Sequence, residues 1–592
     1  MDTRRVVLAF LLLFVLDGGR AQQESLQPKT VEQPSLPQGS PLFTVLNVNR
    51  LSLWVRNDGW SARDPETGNA GLTYPRGTTA TVIFQDGLLW GCNTHRTQRP
   101  IRVGGQYYAI GTIGGNILAP GIPQDPSDPS VRIYRIRRDF RTADLTADAA
   151  ELYHVSVGGV TPAMIETVRA QYERDWNEWP WQQGAPYYDL NNNNVKDPNE
   201  DPGLADADQV IWFVAHDLLR CREFCPPFDA GPIGLELQVT LWAYNRESPW
   251  DECLFKRLRL IYKGAGSSGG SSDTTLTDMY LGVWSDPDLG YYANDFVGCD
   301  TTLNLAYAYN ATPTDSVYAA WDLVPPAFGY SLMQGPRIVT GNPSDTAIFN
   351  MRKVAGAKNL PMTAFSYFAS GDIYAHPPYN YNGALQWYQM MKGLPPIPLG
   401  PPDPPPRPDF VTRQPTRFWL SGNPLTRTGW VDGLAEGPGD RHLQMFTGPF
   451  SMALGDTQEI VVAEVAAMGA NNLNSVAVLK SSVQRIRESY ARLLQDVPRV
   501  PPSVPESYAL SQNYPNPFNS ETTISYTTPH DEFVSLKVYD LTGREVATLV
   551  HGMRSAGRKF VTWDARGFAS GVYFYRMEAG RFTQTRKLIL LR

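Results

Sequence analysis

Cysteine and histidine are scarce: the chain of 592 residues holds five of the first and seven of the second. So few cysteines in so long a chain exclude a disulfide-dense scaffold, and an odd count leaves at least one thiol outside any intramolecular bridge. Cys221 and Cys225 stand four apart, but no histidine or further cysteine completes a zinc-ligand spacing around them. Basic residues are also in deficit, with 52 Lys and Arg against 59 Asp and Glu and a net charge of −7. Phosphate neutralisation needs surplus cations, so nucleic-acid binding is excluded. Beyond the N-terminal leader no apolar run approaches the ~18 residues of a membrane-crossing helix, so the mature chain is expected to have no transmembrane segment. HExxH, GxSxG, Walker A and a GxGxxG leading from strand to helix are all missing. The chain is rich instead in turn formers, with 50 Gly and 49 Pro, which argues against a helical bundle. Hydrophobic residues make up 42%, too many for a wholly disordered chain.

The N-terminus has the three parts of a secretory signal over residues 1–21. Arg4 and Arg5 precede an apolar run from Val6 to Leu16, and Gly19 and Ala21 are the small residues before a cut between Ala21 and Gln22. The apolar run spans only about half a hydrocarbon core at 1.5 Å per residue, which favours a cleaved leader over an anchor. Export through the Sec translocon follows. Residues 22–40 are polar and proline-containing, a disordered lead. At the other end, Val534, Leu536 and Val538 alternate with polar neighbours, Leu541–Arg544 reads as a turn, and Ala579-Gly580-Arg581 reads as a hairpin. Short strands with such turns predict a small Ig-like β-sandwich. This segment has 11 Lys and Arg against 7 Asp and Glu, a basic tail on an acidic body.

The motifs LSQNYPNPFN from Leu510, VYDLTGREVATLV from Val538, GVYFYR from Gly571 and a terminal Lys587 followed by apolar residues closely resemble the type A C-terminal sorting domain of the type IX secretion system. The resemblance covers residues 508–592, with Gly571, Tyr573 and Lys587 at its sorting elements. Two positions depart from the usual pattern: Ser520 stands where Pro is common and Thr528 where Leu or Ile is common. The family implies a Bacteroidota-type Gram-negative source and export across the outer membrane by the type IX machinery. It also implies cleavage by a sortase-like peptidase, with the cargo joined to surface lipopolysaccharide or released. The expected location is therefore secreted or on the outer-membrane surface.

Residues 41–495 read as a mainly β body, a large β-sandwich with a few short helices. Leu235, Leu237, Val239, Leu241 and Ala243 alternate with Glu236, Gln238, Thr240, Trp242 and Tyr244. Residues 80–91, 279–284 and 459–469 are further strands, and 264–273 (GAGSSGGSSD) reads as a hairpin tip before 279–284. One helix starts at Thr161-Pro162 and runs to about Trp176. A second covers about 474–494, with Val476, Leu479, Val483, Ile486, Tyr490 and Leu493 on one face. Residues 395–408 hold nine prolines in fourteen positions, a domain linker or a stiff surface loop. Residues 496–507 form the linker to the tail. The runs GAPYYDLNNNNVKDPNEDPG and SDPDLGYYANDFVGCD look like β-rich cargo regions joined to such sorting domains, a group with no activity to carry over.

The sharpest local motif is Asp189-x-Asn191-x-Asn193-x-Val195-x-Asp197 closed by Glu200 or Asp201. Side-chain oxygens at positions 1, 3, 5 and 9, a carbonyl at 7 and a carboxylate at 12 or 13 follow the ligand order of a calcium loop. The expected cofactor is structural Ca²⁺. A weaker acidic group comprises Asp286, Asp288, Asp295 and Asp300, read as surface turns, a second calcium site or an acid/base pair. Trp176, Trp179, Trp181, Tyr187 and Tyr188 precede the loop and suit either the core or a glycan. The leading expectation is a calcium-stabilised, non-enzymatic binding or structural/adhesive protein, secreted or at the cell surface. The alternative is a secreted hydrolase, glycosidase or peptidase, acting on extracellular polymer. Convergence of carboxylates in a pocket would separate the two.

Overall fold

The computed structural model describes residues 42–591 apart from 95, 97, 109–110, 191–194, 205, 219–230, 267–274, 370–375, 494–498, 501–506, 514–515 and 555–556. The leader with its Ala21–Gln22 cut, the lead 22–40, Asn191, Asn193, Cys221 and Cys225 lie outside the described residues.

Two large sheets, antiparallel throughout, build the body. The first runs, in spatial order, Phe43–Leu46, Ser52–Arg56, Leu72–Thr73, Thr81–Asn93, Thr275–Pro287, Arg441–Ala453 and Ala364–Ala369, with Ile101–Gly105 also paired to Thr81–Asn93. The second runs Asp295–Asp300, Leu305–Asn310, Ala327–Gln334, Thr457–Ala467, Cys253–Tyr262, Leu235–Ala243 and Gln209–His216, with Ile113–Gly114 and Tyr134–Arg137 on the last of these. Leu281, Val283, Leu443 and Met445 of the first sheet share one buried cluster with Leu237, Leu241, Leu258 and Val462 of the second. The sheets are therefore faces of one sandwich, as the mainly β reading expects.

Both outer faces are covered as well. The helix Asn472–Leu493 lays Val476, Leu479, Val483, Ile486 and Tyr490 on Trp242, Phe255, Ala463 and Val465 of the second sheet. The helix Tyr381–Met391 sets Trp387, Tyr388, Met390 and Met391 on Leu89, Trp284, Phe368 and Phe446 of the first. This cover explains why all nine residues of Leu235–Ala243 are buried although the strand alternates. The Thr161 side chain accepts the Met164 N–H and opens the helix Pro162–Asn177 with Pro at its first turn, as predicted.

One reading is corrected. Cys253–Tyr262 lies in the second sheet and Thr275–Pro287 in the first, so these strands do not form a hairpin; residues 267–274 between them lie outside the described residues. The proline-rich run 395–408 joins two elements of the first sheet's layer: Ala364–Ala369 before it pairs directly with Arg441–Ala453 after it. Of the cysteines, Cys253 and Cys299 are buried free thiols.

The tail is a separate seven-stranded sandwich. Ala509–Leu510, Glu521–Thr528 and Gly557–Asp564 form one sheet; Glu545–Arg554, Glu532–Tyr539, Gly571–Ala579 and Phe582–Leu590 form the other. Ile524, Tyr526 and Trp563 meet Val534, Leu536, Tyr575 and Met577 between them.

Candidate functional site

Pairing across the first sheet places a row of chemistry at one end of its outer face. Gln85 stands opposite Asp286 on adjacent strands, and His442 opposite Phe368. The register Trp284↔Gln444 and Ser285↔Leu443 continues to set Asp286 beside His442. The start of the His442 strand is anchored by Arg441, whose guanidinium bonds Asp432 at 3.0 and 3.2 Å in a fully buried pair. Asp432 also accepts the Val297 N–H, tying this strand end to the second sheet.

His442 Nε2 is the focus. It lies 3.0 Å from Asp286 Oδ1, 3.3 Å from Asp440 Oδ1 and 2.8 Å from the Tyr108 hydroxyl. That hydroxyl donates to Asp286 Oδ2 at 2.6 Å. The His442 ring stacks on Trp284 and stands 4.4 Å from the ring of His376. His376 Nδ1 contacts the Tyr107 hydroxyl, and Gln85 Nε2 holds the Tyr107 carbonyl at 2.7 Å. Asp286 and His442 are buried, while Asp440 is part-exposed and Tyr379, 5.9 Å from Tyr107 by ring centroids, is 45% exposed. The result is a polar cluster packed among aromatic rings, with Asp440 and Tyr379 reaching the surface.

Electrostatics follow from this crowding. Burial, and then Asp286, push the Tyr108 hydroxyl well above its ordinary range, so it stays a proton donor. Burial disfavours a charged His442, but Asp286 and Asp440 outweigh it and the imidazole is held above its usual value. His376 lies at the surface, where the neighbouring rings and His442 hold its imidazole below its usual value. Asp288 is pushed up to about 8 by burial and by its neighbours Asp286 and Asp440. Paired carboxylates, an imidazole and a phenol in such a setting can give and take protons or hold a cation.

Of the weak acidic group, Asp286 and Asp288 belong to this cluster. Asp295 is fully buried behind it, accepting from Leu289 N and Asn310 Nδ2 at 3.3 Å each, and its carbonyl holds Gly439 N. It positions the two segments that carry Asp288 and Asp440. Asp300 does not join them: it pairs with Lys480 at 3.0 Å and caps Thr302. Asp300 thus stands apart from the other three in its contacts. Asp440, His442, His376, Tyr107 and Tyr108 were not singled out, because their partners come from strands far away in sequence.

The 189–201 loop has its own contacts. Tyr188 N bonds the Asp201 carbonyl and closes the loop. Glu200 is buried and accepts Leu190 N at 2.7 Å and Asp197 N at 2.9 Å; Asp189 Oδ2 pairs with Arg352 at 3.0 Å. Two of the expected calcium ligands are thus engaged by the chain itself, and Val195 is exposed. Trp179 is buried with its Nε1 donating to the Pro186 carbonyl, and Trp176 and Trp181 pack on the same cluster, so these rings serve the core.

In the tail, the motif residues clamp the last strand. Asn516 Oδ1 accepts Ile589 N, Phe518 N bonds the Ile589 carbonyl, and Gln512 Nε2 bonds the Lys587 carbonyl. Gly571 opens its strand, Tyr573 packs on Trp563 with its hydroxyl on the Ala569 carbonyl, and Lys587 stands opposite Phe574. Ser520 adopts φ +62°, which a proline ring forbids, so the serine matches this backbone.

Among the described residues no helix is long and apolar enough to cross a membrane. No curated protein matches the chain. Among solved structures it is similar to a polysaccharide lyase at 10% identity, over 64% of this chain and 39% of that one, with a TM-score of 0.17, a likeness too slight to bear on fold or activity. Residues 512–591 match the family described as the secretion system C-terminal sorting domain. With that domain at its end, the chain is a cargo protein of the type IX secretion system, secreted or displayed at the cell surface.

Proposed function

We propose that the protein is a secreted hydrolase acting on extracellular polysaccharide, with Tyr108, Asp286, Asp288, His376, Asp440 and His442 as its working centre. The observation that carries this reading is the convergence of carboxylates, an imidazole and a phenol among aromatic rings, with Asp440 and Tyr379 reaching the surface. A surface binder needs no titratable cluster of this kind, whereas water addition across a glycosidic bond needs one group to take a proton and another to give one. Polysaccharide is favoured over peptide by Tyr379, Tyr291 and Tyr292, which are about half exposed and suited to stacking on sugar rings.

The test is product release from a panel of neutral and acidic polysaccharides by the purified protein. His442→Ala and Tyr108→Phe should each lose at least a hundredfold in rate with unchanged circular dichroism. No product from any polymer, or full activity in both variants, would overturn the proposal. A structural calcium ion in the 189–201 loop is a separate proposal, supported by the ligand spacing and the closed loop. Passage through the Sec translocon, trimming of the tail by a sortase-like peptidase and attachment to lipopolysaccharide complete the reading.

A further inference from the structure

We propose that Asp286, Asp440 and His442 bind a divalent transition-metal cation, an inference that rests on the same site as the hydrolase reading. One nitrogen and one oxygen from each carboxylate all lie within 4.8 Å of one another. The His442 Nε2 separations of 3.0 and 3.3 Å match ligands held about 2.0–2.2 Å from one ion at octahedral or tetrahedral angles, which lie ~2.9–3.4 Å apart.

Proton counting supplies an independent argument. Nε2 carries at most one proton, yet Asp286 Oδ1, Asp440 Oδ1 and the Tyr108 oxygen all surround it. The Tyr108 proton is directed to Asp286 Oδ2. One N–H is left to face two carboxylate oxygens, and a cation in place of that proton would be held by both of them and Nε2 together. Burial of Asp286 and His442 makes unmatched charge costly, and Asp288 adds a third carboxyl nearby.

The donor set identifies the class of ion. Calcium wants six to eight oxygens, and a soft ion wants thiolate; mixed imidazole and carboxylate donors suit zinc or manganese. Three protein ligands leave a position for water, the co-reactant of hydrolysis.

The experiment uses tag-free full-length protein, stripped with EDTA and then dialysed against Zn²⁺ or Mn²⁺ alone, with metal content and affinity measured. The expected result is one equivalent per chain, with affinity reduced at least tenfold in His442→Ala and in Asp440→Asn. Asp440 is part-exposed, so its variant should fold, as circular dichroism will verify. An Asp189→Asn control should bind as the unaltered protein does. No stoichiometric ion, or equal affinity in all variants, would overturn the metal site. Undiminished polysaccharide cleavage by a stripped protein that takes up no ion on dialysis would overturn it while leaving the hydrolase reading intact. Stoichiometric binding without cleavage of any polymer would support the metal and remove the hydrolase.

Discussion

Glu464 occupies a position where strand alternation wants an apolar side chain, between Val462 and Ala466 on the inner face of the second sheet. Its partner is Lys256, 2.7 Å away and equally buried, which also reaches Asp86 at 3.2 Å. Two carboxylates share one ammonium there. Burial lifts the Glu464 carboxyl from 4.5 to about 7, with Asp86 adding to the rise and Lys256 opposing it. A carboxyl raised on folding stabilises most when both states are protonated, and that contribution is lost as pH rises from about 4.5 through 7. Glu464→Gln should therefore gain stability relative to the unaltered protein as pH rises across that window, read by urea unfolding at several pH values; a difference that shrinks with pH would be the wrong sign. The strand containing Glu464 was legible in the sequence, but its pairing with the strand of Lys256 was not, because it joins residues more than two hundred positions apart. The same limit applies to the candidate site. Asp286 and Asp288 were visible as an acidic group, while Asp440 and His442 become their neighbours only once Thr275–Pro287 pairs with Arg441–Ala453.

Helices show how far local signals reach. Thr161 and Pro162 announced a helix start that the backbone follows, since cap and first-turn requirements are satisfied within four residues. Thr161→Ala should cost about 1 kcal/mol, measured by thermal melting, because the Met164 N–H loses its acceptor. The five-residue stripe from Val476 to Tyr490 is fully used against the second sheet, and Leu479→Ala there should cost about 2–5 kcal/mol. The helix Tyr381–Met391 was not legible, because its aromatic and methionine residues are buried on most sides and show no clean polar face. In the acidic loop the two roles separate by experiment. Glu200→Ala should lower the melting temperature with or without calcium, since it strips acceptors from Leu190 and Asp197. Asp197→Ala should lower it further in calcium than in chelator; an equal drop in both would remove the calcium proposal.

At the scale of the molecule, an acidic double-sheet body carries a basic sandwich whose motif residues clamp its own last strand. Deleting residues 508–592 should leave the body in the periplasm, and its appearance at the cell surface without them would contradict the sorting role. The class of the body was legible because alternation and turn chemistry are local; the placing of Cys253–Tyr262 and Thr275–Pro287 in different sheets was not, because it depends on pairing with strands far away in sequence. The central claim is that the Asp286–Asp440–His442 cluster is where the protein works. The most direct measurement is a crystal structure of the His442→Ala protein with an oligosaccharide drawn from a cleaved polymer. The account predicts sugar rings against Tyr379 and Tyr108, with a glycosidic oxygen above Asp286 and Asp440. Sugar bound only elsewhere, with this cluster unvisited, would contradict it.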